Sequence, residues 1–154
     1  DALPDGSEGA GTLSGRFGPE RVLTVSAQIE SELSELPEED RAAFLSELGL
    51  SETGIDRLTL ASFRLLRLIT FYTTVNDRLQ AWQVVEGTPA PGAAGRIHTD
   101  MESGFIRAEV ASFDVVVAAG GNVEALRETG KLRVEGRDYE IQDGDVVKFL
   151  FSPA

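Results

Sequence analysis

The 154 residues contain 42% hydrophobic and 26% charged side chains, enough apolar material for one ordinary domain or two small ones with packed cores, and too much for a disordered segment. A formal net charge of −12 excludes a broad basic surface gripping nucleic acid through its phosphates, so any such contact has to be local. The absence of cysteine excludes disulfides, thiol catalysis and thiolate metal sites.

The chain opens at Asp1, and residues 1–20 carry so many Gly and Ser that a flexible linker loop cut from something longer is expected. Val22, Leu23, Thr24 and Val25 form a short β-branched run that Ser26 ends as a helical pattern begins, the grammar of a βα unit whose parallel sheet would need strands from elsewhere. Three helices are predicted over 29–36, 38–48 and 54–68. Pro37 with Glu38, Glu39 and Asp40 marks the start of the second, and Gly49 suits the left-handed position just past its end. Phe44, Leu45 and Leu48 give that helix its buried face. Leu58, Ala61, Leu65 and Leu68, widened by Phe63 and Leu66, do so for the third.

From residue 69 the period changes to two. Strands are predicted over 69–74 and 79–85 around a turn at 75–78, then over 105–110, 131–135, 138–141 and 146–151, with short helices at Ala93 and Ala94, over 113–119 and over 123–129. A mixed sheet of four or five strands gripping one or two helices is a β-grasp pattern. Alternation in 105–110 sends Ile106, Ala108 and Val110 to the core and Phe105, Arg107 and Glu109 the other way. Trp82 reads as a core or near-core residue.

No G-x-x-x-x-G-K-[ST] phosphate cradle is present: before Gly130-Lys131 the first glycine is replaced by Ala125, and Leu132 stands where a hydroxyl residue is needed. No dinucleotide fingerprint, nucleophile elbow or zinc helix occurs either, so no catalytic residue is assigned. Ser26 reads by itself as the cap of the next helix. His98, Asp100 and Glu102 alternate as ligands on an extended segment would, but this is the only histidine, and a solvated turn is the simpler reading; no metal site is assigned. Phe105 beside Arg107 is either a base-stacking and phosphate-holding pair or cross-strand packing with an ion pair. Arg57, Arg64 and Arg67 recur at helical spacing as a local basic ridge, or as solubilising side chains with snorkelling stems.

The run from Ile97 to Val110, with Glu135-Gly136-Arg137-Asp138-Tyr139 and Asp143-Gly144-Asp145-Val146, closely resembles the YchF subfamily of Obg-like ATPases, over residues 21–151. Met101, Gln28 and the Gly-rich opening depart from that pattern. The resemblance implies an α+β chain: residues 21–68 are the helical end of a P-loop α/β nucleotide-binding domain, and residues 69–154 a C-terminal β-grasp, ubiquitin-like TGS domain. Ser26-Ala27-Gln28 is similar to the Ser-Ala-Lys motif of P-loop GTPases, whose backbone amides approach the nucleotide base. An Asn-x-x-Glu motif that favours ATP would lie before Asp1.

For the intact parent the resemblance implies ATP and Mg2+ as cofactors and a redox- or translation-linked ATPase regulated by ribosome contact. The partners implied are the ribosome or ribosomal RNA and the protein's own N-terminal nucleotide-binding domain. This portion would supply the ribosome contact, with His98, Asp100, Phe105, Arg107, Arg57, Arg64 and Arg67 as candidates, and not the hydrolytic centre. No run approaches the roughly 18 apolar residues of a membrane span and no leader opens the chain, so a cytoplasmic protein without a membrane partner is expected. Two rivals are weighed. A sulfur carrier or ubiquitin-like modifier needs a free terminal Gly-Gly, whereas this sequence ends Phe151-Ser152-Pro153-Ala154. A β-grasp regulatory module that docks intramolecularly or senses a small ligand remains the alternative.

Overall fold

The computed structural model describes residues 8–75 and 78–152. The chain divides into two compact units, Asp1–Leu66 and Arg67–Ala154. In the first, α1 (Glu8–Phe17) is followed by a 3-10 turn (Pro19–Arg21), α2 (Ala27–Glu35), α3 (Glu38–Glu47) and α4 (Gly54–Leu65).

One expectation for the start of this unit is corrected. Residues 8–17 are helical rather than a loop: Gly9, Gly11 and Gly15 weaken a helix by about 1 kcal/mol each relative to alanine but do not forbid it. Residues 1–7 lie outside the described residues. The run from Val22 to Val25 enters no ladder among the described residues; the parallel strands expected beside it would come from elsewhere.

The helix ends follow local chemistry. Thr53 and Asp56 form a reciprocal capping box at the start of α4, the Thr53 hydroxyl accepting from the Asp56 amide at 3.0 Å. The Gly54 amide also donates to Glu30 Oε1 at 2.6 Å, tying the start of α4 to α2. Gly49 takes φ +70 just past α3, as its position predicts. Helix α4 stops at Leu65 instead of running to 68, because Arg67 turns left-handed (φ 53) and its carbonyl accepts from the Glu86 amide at 2.8 Å. Leu33 and Leu45 are the buried hydrophobics of this unit among the described residues. Leu58, Leu65 and Leu66, expected in a packed face, are exposed.

The second unit is an α+β assembly around one five-stranded mixed sheet in the order β2-β1-β5-β3-β4. Its strands are β1 (Leu68–Val75), β2 (Arg78–Val85), β3 (Phe105–Ser112), β4 (Arg133–Glu135) and β5 (Asp145–Phe151). Only the central pair β1 and β5 is parallel; the other pairings are antiparallel. The strands grasp α5 (Ala90–Ile97) and α6 (Thr99–Ser103), while α7 (Phe113–Ala118) and α8 (Val123–Glu128) connect β3 to β4. The centre of the expected hairpin turn, residues 76 and 77, lies outside the described residues.

Successive strand residues point to opposite faces, so the sheet builds two clusters. On one face Phe71, Val84, Ala108, Val110, Val147 and Phe149 pack with Ala90, Ala93 and Ala94 of α5. Phe71 and Phe149 meet edge to face with ring centroids 6.0 Å apart. Trp82 joins this cluster half-buried, its indole N–H donating to Thr73 Oγ1 at 3.0 Å. On the other face Ala111 and Val146 pack with Val116 of α7 and Leu126 of α8.

Residues 138–141 are not a strand. Ile141 donates to the Thr88 carbonyl and Ala90 to the Tyr139 carbonyl, which makes one isolated bridge between Pro89 and Glu140 rather than a ladder. The predicted strand 131–135 is shortened to β4.

Candidate functional site

Helix α2 begins where the residues likened to the base-side motif stand. Ser26 is its cap: the hydroxyl accepts from the Ile29 amide at 3.4 Å, satisfying one of the first-turn donors. Ala27 is the first helical residue, and the Gln28 amide group donates to Glu32 Oε1 at 3.0 Å along the same helix. Ser26 lines a cleft with Thr24, Glu30, Gly54 and Arg57.

The basic ridge is corrected. Arg57 is half-buried at that cleft and Arg64 is exposed in the last turn of α4, but Arg67 lies beyond the helix and pairs with Glu86 at 3.1 Å. The left-handed turn at Arg67 takes it out of the helical series.

In the second unit the polar run after Ile97 is α6 and not an extended segment. His98 closes α5 and opens α6, with Nδ1 accepting from the Asp100 amide at 3.2 Å and the Asp100 carboxylate 3.5 Å from the same nitrogen. Helical winding spreads His98, Asp100 and Glu102 around the turn, so the alternate-ligand arrangement does not form. The helix ends at Gly104, whose carbonyl accepts from Ser152 at 2.9 Å. A Cβ there would stand 1.9 Å from the Ser152 carbonyl oxygen, which is why the backbone approach requires glycine.

Phe105 is also placed differently from the simple alternation. A β-bulge between Phe105 and Arg107 makes Ile106 the extra residue, which shifts the phase so that Phe105 turns into the core and Ile106 is exposed. Phe105 is 5% exposed, packs against Phe149 and cannot offer a face for a stacked base. Arg137 closes over it, its guanidinium 5.8 Å from the ring centroid and donating to the Phe105 carbonyl at 3.1 Å. Arg107 remains exposed and points to the opposite face from Ala108 and Val110.

The Asp138-Tyr139 and Asp143-Gly144-Asp145 segments form a latch. Asp145, 3% exposed, accepts from the Tyr139 hydroxyl at 2.7 Å and from the Gln142 amide at 2.9 Å. Arg133 donates to the Tyr139 oxygen at 3.0 Å and lies over its ring. Burial first, and then the hydrogen bond to Asp145, push the Tyr139 phenol up to about 12. Asp143 accepts from the Thr70 amide at 2.8 Å, fastening the same turn to β1.

Sequence reasoning passed over two cations beside Arg107. Lys148 of β5 stands directly opposite Glu109 in the ladder, on the face shared with Arg107. Arg127 of α8 reaches the same place and pairs with Glu109, which is 9% exposed. The signal was available in part, since Lys148 alternates with the core residues Val147 and Phe149; the approach of α8 was not.

The profile of the family YchF-GTPase_C, described as "Protein of unknown function (DUF933)", matches residues 68–152, the span of the sheet unit. The chain belongs to the YchF-GTPase_C family. Other members are similar over most of the chain. The ribosome-binding ATPase YchF of Bacillus subtilis (strain 168) is 43% identical over 153 residues, 98% of this chain and 42% of its own length. The protein of the same name from Haemophilus ducreyi is 47% identical over 131 residues, 85% of this chain and 36% of its own. Obg-like ATPase 1 of Caenorhabditis elegans is 38% identical over 131 residues, 85% of this chain and 33% of its own.

This chain therefore spans 33% to 42% of the length of these YchF relatives. The solved structure of the Schizosaccharomyces pombe YchF GTPase superposes with a TM-score of 0.79 at 26% identity, over 91% of this chain and 37% of that one. A GTP binding protein from Pyrococcus horikoshii OT3 superposes at 0.63 with 19% identity, over 96% of this chain and 43% of that one, a likeness of fold.

Proposed function

We propose that this chain is the C-terminal portion of a YchF-like ribosome-binding ATPase: residues 21–68 close its nucleotide-binding domain, residues 69–154 form its TGS domain, and the sheet unit supplies the contact to the ribosome or ribosomal RNA. The observation that carries this reading is the 43% identity over 98% of the chain to a relative named a ribosome-binding ATPase. In the intact protein the partners are the ribosome and the N-terminal nucleotide-binding domain, and the setting is cytoplasmic. Among the described residues no helix is long and apolar enough to cross a membrane.

ATP and Mg2+ belong to the intact parent. This chain by itself is not expected to bind them fully. The fitting contribution of this chain is the α2 start, where Ser26, Ala27 and Gln28 present backbone amides to the base side of a nucleotide gripped by preceding residues. The exposed Leu58 and Leu65 on α4 support the idea that the helical unit belongs to a larger domain.

Co-sedimentation tests the reading. The 154-residue chain is expected to pellet with purified ribosomes through a sucrose cushion at low salt, and to turn over ATP no faster than buffer. A chain that stays in the supernatant at all salt concentrations would favour a β-grasp regulatory module acting within its own protein.

A further inference from the structure

We infer that the half of the sheet face carrying Arg107, Lys148 and Arg127 binds the phosphates of an RNA strand, without reading its bases. The inference rests on the proposed ribosome contact and assigns it to a surface. Register places the three cations together: Glu109 of β3 faces Lys148 of β5 in the ladder, Arg107 lies two residues from Glu109 on the same face, and Arg127 of α8 pairs with Glu109. Glu109 is 9% exposed and holds Arg127 in place, whereas Arg107 and Lys148 are exposed and have no ion-pair partner among the described residues.

Among the described strand residues Glu109 is the one carboxylate on this sheet face and Arg127 pairs with it, which leaves Arg107 and Lys148 as adjacent strand cations within a chain of net charge −12. Charge complementarity therefore selects a polyanion, and the spacing selects a linear one: Arg107 and Lys148 are diagonal neighbours across β3 and β5, about 7–8 Å apart, a match for successive phosphates. The same face explains why bases are not read. Phe105 is turned into the opposite core by the bulge, and Tyr72, the aromatic on this face, is packed against Phe113 with centroids 5.2 Å apart. The strand residues directly opposite Arg107 and Glu109 include the aliphatic Leu150 and Val134, which offer no stacking platform.

Fluorescence anisotropy of the whole 154-residue chain with a fluorescein-labelled, mixed-sequence 20-nucleotide RNA reads this directly. Two neutralised phosphates on a single strand, one each for Arg107 and Lys148, predict a salt slope of about 1.4 in log Kd against log salt, from about 0.7 per phosphate. Arg107→Gln with Lys148→Gln is expected to bring that slope below about 1 and to weaken binding about tenfold or more at low salt. Oligomers of uridine and of adenosine should bind alike, and Arg96→Gln, an exposed cation on α5, should change neither quantity. Unchanged thermal melting of the double variant establishes that its fold is intact.

The inference is overturned if the double variant binds within twofold of the parent with the same slope. It is also overturned if polyglutamate at equal charge displaces the RNA as well as unlabelled RNA does, since the partner is then an acidic polypeptide. Ribosome pelleting that persists unchanged in the double variant sinks this surface and leaves the ribosome reading standing. RNA binding that depends on Arg107 and Lys148 without any ribosome pelleting does the reverse.

Discussion

Tyr139 and Asp145 show how a family motif can be structural. The phenol donates to Oδ2 of a nearly buried carboxylate and the Gln142 amide donates to the same oxygen, so Oδ2 of Asp145 holds the turn that delivers β5 to the sheet centre while Oδ1 faces Arg133 at 3.5 Å. A phenol raised from 10.0 to about 12 in the folded chain favours the fold while protonated. That contribution is fully present below pH 10 and is lost as pH rises through 12. The difference in unfolding free energy between the parent and Tyr139→Phe should accordingly be constant from pH 7 to 9 and shrink from 10 to 12, as urea titrations across that range would measure. A difference that grows with pH would contradict it. The motif residues were visible in the sequence, but their partners were not: Arg133 and Asp145 are far enough apart in the chain that only the turn at residues 136–144 brings them to one ring. Ser26, by contrast, was legible as a cap from its neighbours alone, because capping is a local bond.

Among the elements, those with chemical punctuation were readable. Pro37 before an acidic first turn and Gly49 after α3 mark helix boundaries that the structure repeats to within a few residues. Elements whose state depends on distant partners were not readable. Residues 138–141, read as a strand, meet only a two-bond bridge. Helix α1 was missed for the opposite reason, since its glycines count against a helix that forms anyway. Gly11 and Gly15 have open space where a Cβ would stand. Gly15→Ala is therefore predicted to stabilise α1 by about 0.5–1 kcal/mol. Higher ellipticity at 222 nm and slower amide exchange in residues 8–17 would register the gain, and unchanged exchange would refute it.

At the scale of the molecule the two units differ in what holds them. Leu33 and Leu45 are the buried hydrophobics of the helical unit among the described residues, and all others belong to the sheet unit. Burial of apolar area is the main source of stability, so protection should follow it. Hydrogen exchange followed by mass spectrometry is expected to show residues 8–66 exchanging at least tenfold faster than β1, β3 and β5, and uniform protection would contradict this. The grasp-like sheet was legible from period-two runs and turn residues, as was the division near residue 68; the basic patch was not, because it is assembled from three elements by register.

The extra residue at Ile106 acts as a phase shifter: upstream of it odd-numbered side chains face inward, downstream even-numbered ones do. Swapping Ile106 for a polar residue changes only what the solvent meets. Losing that single codon would instead remove the bulge and leave Phe105 and Arg107 alternating directly against Phe151 and Leu150, so the inward-facing set would survive while the local bend would go. For this segment, then, the extra residue is one the core does not require, and alignments of related sheets need a gap rule at this position before their inward-facing residues can be compared.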